Sequence, residues 1–432
     1  MILIVKAAKQ LQGRVNLPSS KSYSIRAFLI AACGGVSTII NPSDCDDAKV
    51  ALKIAKQLGA KVIQSKNNTY KIIADQEPGR KIAPTADFNV GESGTVLRFL
   101  LPLLALRQGR FRISGTGTLK GRPNLFLVQA LRKMGARIRG AGAQESIPLT
   151  MEGGHLRAGK IEVDASLSSQ FISALLIACP QLKGNTRLTL TGGKVVSELY
   201  LTMTQRVLRL SKVKVGRKSP SSFFIKGGQK FYGLGNFVVP SDYGLAAFLI
   251  AAAVLTESDV VLDGMFNDKF VQADGEILPL LRKMGAKFEA TKTSIKIKGP
   301  QTLKGGNFSL KNCPDLVPIM AVMALFAKGK TRLYDIGHAR AKESDRIGDL
   351  RRELLKAGAK IRERRDELTI YPQSVYRRGA LLDPHHDHRL AMAFSVLGLK
   401  LFAKIKDIEC VSKSYPQFVK DFKKIGALVS SS

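Results

Sequence analysis

A chain of 432 residues with 45% hydrophobic content exceeds the size of a single growing core and is too apolar to stay disordered, so two folded domains are expected. Its 68 Lys and Arg against 34 Asp and Glu give a formal net charge of +34, which points to anionic partners. The basic residues are nevertheless spread along the whole length, as on a solvated basic surface, rather than gathered in the stripe or tail of a nucleic-acid binder. The five cysteines, Cys33, Cys45, Cys179, Cys313 and Cys410, form no C-x-x-C pair, which speaks against a disulfide framework or a cysteine zinc site and for a reducing compartment. The opening MILIVKAAKQ has its apolar residues ahead of its lysines, unlike a signal peptide, and the longest apolar run, LAAFLIAAAVL from Leu245, is too short to cross a bilayer. A cytoplasmic location is expected.

In chain order the predicted elements alternate between two kinds of helix. IRAFLIAACGG from Ile25 is apolar on nearly every face and leads to ALKIAKQLGAKVI from Ala51, an amphipathic helix that closes on Gly and turns into a strand. LRFLLPLLALRQG from Leu97 precedes LFLVQALRKMGARI from Leu125, and FISALLIACP from Phe171 precedes a degenerate LSKVKV from Leu210. LAAFLIAAAVL precedes KMGAKF from Lys283, PIMAVMALFAKG from Pro318 precedes KAGAKI from Lys356, and LAMAFSVLGL from Leu390 precedes KIGALV from Lys424. The recurrence at roughly 70 to 75 residues predicts six βαβαβ-like units, each with one buried and one surface helix. Three units per domain, divided in the Gly-rich stretch YGLGNFVVP at 232–240, fit better than a solenoid, because the polar segments ahead of the buried helices differ so much from unit to unit.

Those segments carry the chemistry. They are PSSKSYSIR at Pro18, VGESGTVLR at Val90, DASLSSQF at Asp164, PSDYG at Pro240, NCPDLVP at Asn312 and DPHHDHR at Asp383. Ser, Asp and Asn there are also what helix N-caps require. Caps do not require Lys21, Arg26, Arg98 or Arg389; a cation at the positive end of a helix is unfavourable unless an anion sits there too, so a bound polyanion is expected. The HHDH run at 385–388 has metal-ligand types but not their spacing, since adjacent side chains cannot converge on one ion. No metal and no organic cofactor are expected.

The strings LPSSKSYSIRAFLIAA, GESGTVLRFL, GRPNLFLVQALRKMGA, DASLSSQFISALLIACP, AKESDRI, DHRLAMAFSVLGL and VSKSYPQF, in this order and over nearly the whole chain, resemble the 5-enolpyruvylshikimate-3-phosphate synthase family. The resemblance implies an α/β (α+β) enolpyruvyl transferase fold, with two similar domains of three βαβαββ units around buried parallel helices. The N-terminal domain would span 17–237 and the C-terminal domain 1–16 and 238–432, with the active site in the cleft between them. Shikimate 3-phosphate would be held by Lys21, Ser22, Arg26, Ser168, Ser169, Gln170, Ser197, Tyr200, Asp315 and Lys342, and phosphoenolpyruvate by Lys21, Gly94, Arg122, Gln170, Arg346, Arg389 and Lys413. Asp315 would serve as base, Glu343 as acid and Lys21 as a second proton donor.

Three residues depart from the commoner pattern: Glu92 and His338 where others have Asn, and Leu199 where a Pro often stands. Glu92 would repel phosphoenolpyruvate unless turned away or paired. Asp315 could instead cap the helix after it, and Glu343 could instead form a surface salt bridge to Lys342 or Arg346. A UDP-N-acetylglucosamine enolpyruvyl transferase is the nearest alternative, but the loop SGTGTLKGRP at 114–123 lacks the cysteine usual there. A basic RNA-binding protein of related repeat fold is a second, without an RNP or KH motif in its support. The partners expected are the two small-molecule substrates alone, with no membrane or specific nucleic acid, and the chain is expected to be a monomer.

Overall fold

The computed structural model describes residues 1–75, 85–193, 195–266 and 270–432. The chain forms two compact units, one of Ser19–Val239 and the other of Met1–Pro18 with Pro240–Ser432. Twelve helices run in chain order among the described residues: α1 (Lys21–Ala31), α2 (Asp46–Gln57), α3 (Gly94–Ala105), α4 (Leu125–Lys133), α5 (Ser169–Ala178), α6 (Leu199–Leu210), α7 (Tyr243–Leu255), α8 (Ile277–Lys283), α9 (Val317–Leu325), α10 (Gly348–Lys356), α11 (His388–Leu401) and α12 (Phe418–Lys424). The odd-numbered helices are the apolar ones. In α7 every residue from Gly244 to Leu255 is buried, and in α9 all of Val317–Leu325, as expected of helices apolar on all sides. The even-numbered helices bury one stripe only, such as Asp47, Ala48, Ala51, Ile54 and Ala55 of α2.

The recurring K-x-G-A motif has a backbone cause. Gly59, Gly135, Gly285, Gly358 and Gly426 all take positive φ, between 81° and 98°. One residue further on, the N–H of Ala60, Ala136, Ala286, Ala359 and Ala427 reaches back to the carbonyl of Ala55, Leu131, Leu281, Leu354 and Phe422. This is the Schellman closure of a helix, which favours glycine because a Cβ strains that conformation. In the degenerate copy Lys212 occupies the glycine position at φ 62° and Val213 makes the same bond to Leu208. LSKVKV is therefore the sixth copy of the motif in structure as well as in spacing.

The strands form four-stranded sheets, six among the described residues. In the clearest repeat, Thr85–Asn89 runs into α3 and returns as the parallel strand Gly109–Ser114. Next, α4 leads to the antiparallel hairpin Arg137–Ala141 and Ser146–Gly153. The same β-α-β-α-β-β order recurs at Lys160–Ile225 and at Asn307–Tyr371. Each unit also contains repeats closed by a strand distant in sequence. Gly235–Val238 lies parallel to Gly35–Ile40, Leu11–Asn16 lies parallel to Ser258–Asp263, and Leu3–Val5 pairs antiparallel with both Ala403–Ile405 and Val429–Ser431. The first sixteen residues thus supply strands to two sheets of the unit that begins again at Pro240. The buried helices form the core of each unit, so their N-termini emerge at its edge, where the polar segments lie.

Candidate active site

In the first unit, Lys21 opens α1 and its ammonium lies 3.1 Å from the buried carboxylate of Asp47, at the start of α2. Arg26, one turn further and 1% exposed, donates from Nε to Thr204 Oγ1 at 2.9 Å and from a terminal nitrogen to the carbonyl of Ser22 at 3.0 Å. Its guanidinium also stands over the rings of Phe99 and Tyr200. Burial is the main reason its pKa drops, to about 10. Tyr200 belongs to α6 and donates its backbone N–H to the carbonyl of Ser197, a residue at φ 55°. Ser22, Arg26, Ser197 and Tyr200 therefore come together.

A second cluster surrounds the start of α3. Gly94 is its first residue, and a Cβ there would stand 2.8 Å from a terminal nitrogen of Arg122, so the glycine is what admits the arginine. Gln170 on α5 donates to Thr95 Oγ1 at 2.9 Å and accepts from Arg98 at 2.6 Å. Ser93, Ser168, Asp242 and Asp387 do act as N-caps of α3, α5, α7 and α11, and Ser169 is buried in the first turn of α5. Glu92 accepts a hydrogen bond from the Thr118 hydroxyl at 3.2 Å, with its carboxylate lying against Gly117. The added carboxylate is thus engaged by the 117–121 turn.

The other unit holds a dense charge cluster. Arg346 is 1% exposed and touches three carboxylates: Asp315 at 2.6 Å, Glu343 at 2.8 Å and Asp387 at 2.7 Å. Arg389, in the first turn of α11, lies 2.9 Å from the other Asp315 oxygen and donates to the Gly244 carbonyl at 3.0 Å. The Lys413 ammonium is 4.0 Å from Glu343. Burial raises the Asp315 pKa, but Arg389, Arg346 and Lys342 outweigh it and hold the carboxylate well below its usual range. Arg346 is pushed well above its ordinary value by Asp387, Asp315 and Glu343, against the effect of burial. Asp315 sits in the 3-10 turn Pro314–Leu316 and its carboxylate meets Arg346 and Arg389, not the start of α9; Glu343 pairs with Arg346 inside the protein, not on its surface. Next to them, His338 is held neutral: burial first, then Lys342, lowers its pKa to about 3.

The HHDH run diverges, as the sequence suggests. His385 meets Glu353, His386 meets Asp407, Asp387 meets Arg346, and His388 is buried in α11. Among the described residues no group of three or more His, Cys, Asp or Glu is placed to hold a metal ion, and no helix is long and apolar enough to cross a membrane.

Three participants escaped sequence reasoning, and a fourth, Arg98, was visible only in part. Asp47 stands in the acidic run DCDDA with nothing to set it apart from Asp46, and Asp387 reads as a cap and is one. Asp274, in QADGE, falls in no motif. Arg98 signals itself only as a cation at a helix start; its contact with Gln170 depends on how α3 and α5 pack.

Two units of repeated βαβαββ modules, with Lys and Arg side chains in the first turns of buried helices, have the enolpyruvyl transferase fold. The fold matches an enolpyruvyl transferase, NikO, from Streptomyces tendae, at a TM-score of 0.78 and 17% identity over 100% of this chain and 98% of that one. An EPSP synthase from Acinetobacter baumannii matches at a TM-score of 0.79 and 27% identity, over 100% and 99% of the two chains. The sequence model described as EPSP synthase (3-phosphoshikimate 1-carboxyvinyltransferase) matches residues 5–422, and the chain belongs to that family. Relatives named 3-phosphoshikimate 1-carboxyvinyltransferase include one from Sulfurovum sp., 36% identical over 96% of this chain and 97% of its own length. Another, from Methanococcus aeolicus, is 34% identical over 99% and 100%.

Proposed function

We infer that this chain is a transferase that moves the carboxyvinyl group of phosphoenolpyruvate onto the 5-hydroxyl of shikimate 3-phosphate and releases inorganic phosphate, a step toward aromatic amino acids. The observation that carries the reading, beyond family membership, is that Arg346 joins Asp315 to Glu343 in one buried cluster. The reaction needs a base and an acid side by side: the arginine favours the ionised form that the base requires, and a docked anion on the same cations favours the proton that Glu343 must carry.

The 5-hydroxyl adds through oxygen to the central carbon of phosphoenolpyruvate. Its proton passes to Asp315, which its arginine neighbours keep ionised, while the methylene carbon takes a proton from Glu343. The resulting tetrahedral intermediate returns a proton from its new methyl group to Glu343, by then a carboxylate, and expels phosphate, to which Lys21 gives a proton; an enol ether remains, and the proton held by Asp315 passes through solvent to restore Lys21. Arg122, Arg346, Arg389 and Lys413 hold the phosphate and carboxylate of the donor substrate, with Gly94 leaving room for Arg122. Ser22, Arg26, Ser168, Ser169, Gln170, Ser197, Tyr200 and Lys342 hold the acceptor.

No metal or organic cofactor enters this scheme, and a cytoplasmic monomer is the form in which we expect it to run. A transferase acting on UDP-N-acetylglucosamine is not favoured by the family match, nor is an RNA-binding role. Release of phosphate from phosphoenolpyruvate that depends on shikimate 3-phosphate, with none on UDP-N-acetylglucosamine, is the expected result on purified protein. Release with the nucleotide sugar alone would overturn the assignment.

A further inference from the structure

Asp274 lies in the 3-10 turn Ala273–Glu276, 5% exposed, with a carboxylate oxygen 3.7 Å from Arg389 and packed where Gly244 leaves space; a Cβ on Gly244 would stand 2.4 Å from that oxygen. Arg389 is thereby gripped from several sides: by Asp274, by Asp315 at 2.9 Å and by the Gly244 carbonyl at 3.0 Å. The surrounding charges nearly balance. Lys342, Arg346, Arg389 and Lys413 face Asp242, Asp274, Asp315, Glu343 and Asp387, so an anion that docks on these cations adds negative charge to a site already supplied with it.

We propose that Asp274 is a positioning residue that acts through Arg389, fixing the guanidinium for the donor substrate and taking up a proton when that anion docks. The inference rests on the functional reading above and deepens it. It concerns a residue outside the motifs that carry the family resemblance.

Physical chemistry gives the direction. Asp274 faces Arg389 from α11, Asp315 from the turn before α9, Asp242 at the cap of α7 and Lys342 after the 3-10 turn Gly337–Ala341. The thiol of Cys313 lies within its field and Glu276 shares its turn. Burial is the largest influence and raises its pKa to about 7; Arg389 opposes this, while Asp315 and Asp242 add to it. Near neutral pH the group exchanges its proton readily. A docked anion favours the protonated form, so affinity for that anion falls as pH rises through about 7 and beyond, where the proton must first be taken from solvent.

The test is steady-state kinetics on the full chain at saturating shikimate 3-phosphate, with phosphoenolpyruvate varied from pH 6 to 9, for wild type, Asp274→Asn and Asp274→Ala. Asparagine keeps an acceptor for Arg389 but cannot titrate. Relative to Asp274→Asn, the wild-type KM for phosphoenolpyruvate should climb about tenfold across this range. Asp274→Ala, which removes the grip, should raise that KM about tenfold at pH 7, with the KM for shikimate 3-phosphate unchanged within about twofold and the loss rescued by asparagine. Parallel pH profiles of wild type and Asp274→Asn would overturn the proposal, even if the alanine variant fails to fold. So would a folded alanine variant with wild-type KM. Wild-type turnover is the control for the functional reading, so an active enzyme with parallel profiles removes only the role given to Asp274.

Discussion

Arg346→Met offers the sharpest perturbation of the charge cluster. The guanidinium is 1% exposed and contacts Asp315, Glu343 and Asp387, whose side chains are 21%, 9% and 0% exposed. Methionine fills much of the same volume but leaves three carboxylates facing one another in a partly desolvated space. Removing one partner of a buried pair costs about 3–5 kcal/mol. Because Asp315 keeps Arg389 at 2.9 Å and Glu343 keeps Lys413 at 4.0 Å, the three losses do not add, and a total near the top of that range, about 5 kcal/mol, is expected.

The loss should also depend on pH. In the wild type Asp315 is held well below its ordinary pKa, burial being outweighed by Arg389, Arg346 and Lys342. Its stabilising contribution is therefore complete above the unfolded value of about 3.9 and disappears as pH falls below it. In the variant one of the lowering cations is gone while burial remains, so less stability is left to lose in acid. The gap between the two proteins should be widest near pH 7.5 and should narrow as pH falls through about 4. Urea unfolding at a series of pH values measures it. A gap below about 1 kcal/mol at pH 7.5, or one that does not change with pH, would refute this account of the cluster.

Glu343→Gln keeps an acceptor for Arg346 but cannot supply a proton, so it should still fold and lose turnover by about 100-fold or more; near wild-type phosphate release would remove the acid role. Gly94→Ala would put a Cβ 2.8 Å from Arg122, and we expect the KM for phosphoenolpyruvate to rise about tenfold with that for shikimate 3-phosphate unchanged; an equal rise in both would contradict the division of labour. Arg26→Lys loses the fork that reaches Thr204 and Ser22. Here the KM for shikimate 3-phosphate should rise, by about tenfold, while that for phosphoenolpyruvate should not. His338 is neutral in the fold with its pKa lowered to about 3, so its contribution is present above the unfolded value of about 6.5 and is lost as pH falls toward 3. His338→Asn should therefore be less acid-sensitive than the wild type in unfolding curves between pH 7 and 4.

The repeats were legible because a helix that ends in a Schellman turn needs glycine, and five of the six copies obey; Lys212 shows why the sixth looked degenerate. The buried helices were equally plain, since nothing but an apolar run survives on all sides of α7 or α9. The cations of the site stood out against the polarity of helix starts. Their carboxylate partners did not, because Asp47 is an ordinary acid in a first helix turn and Asp387 a helix cap, and neither looks different in sequence for also holding a cation. Asp274 was invisible for another reason: its neighbours Arg389 and Gly244 lie 115 and 30 positions away in the chain, and only the packing of α7 against α11 makes them neighbours.

The proposed function has Lys21, Arg122 and the cluster around Arg346 serve one pair of substrates. It is tested most directly by calorimetric titration of phosphoenolpyruvate into the slow Glu343→Gln protein, with and without saturating shikimate 3-phosphate. Saturating shikimate 3-phosphate should tighten phosphoenolpyruvate by about tenfold or more. Equal affinity in the two titrations would contradict it.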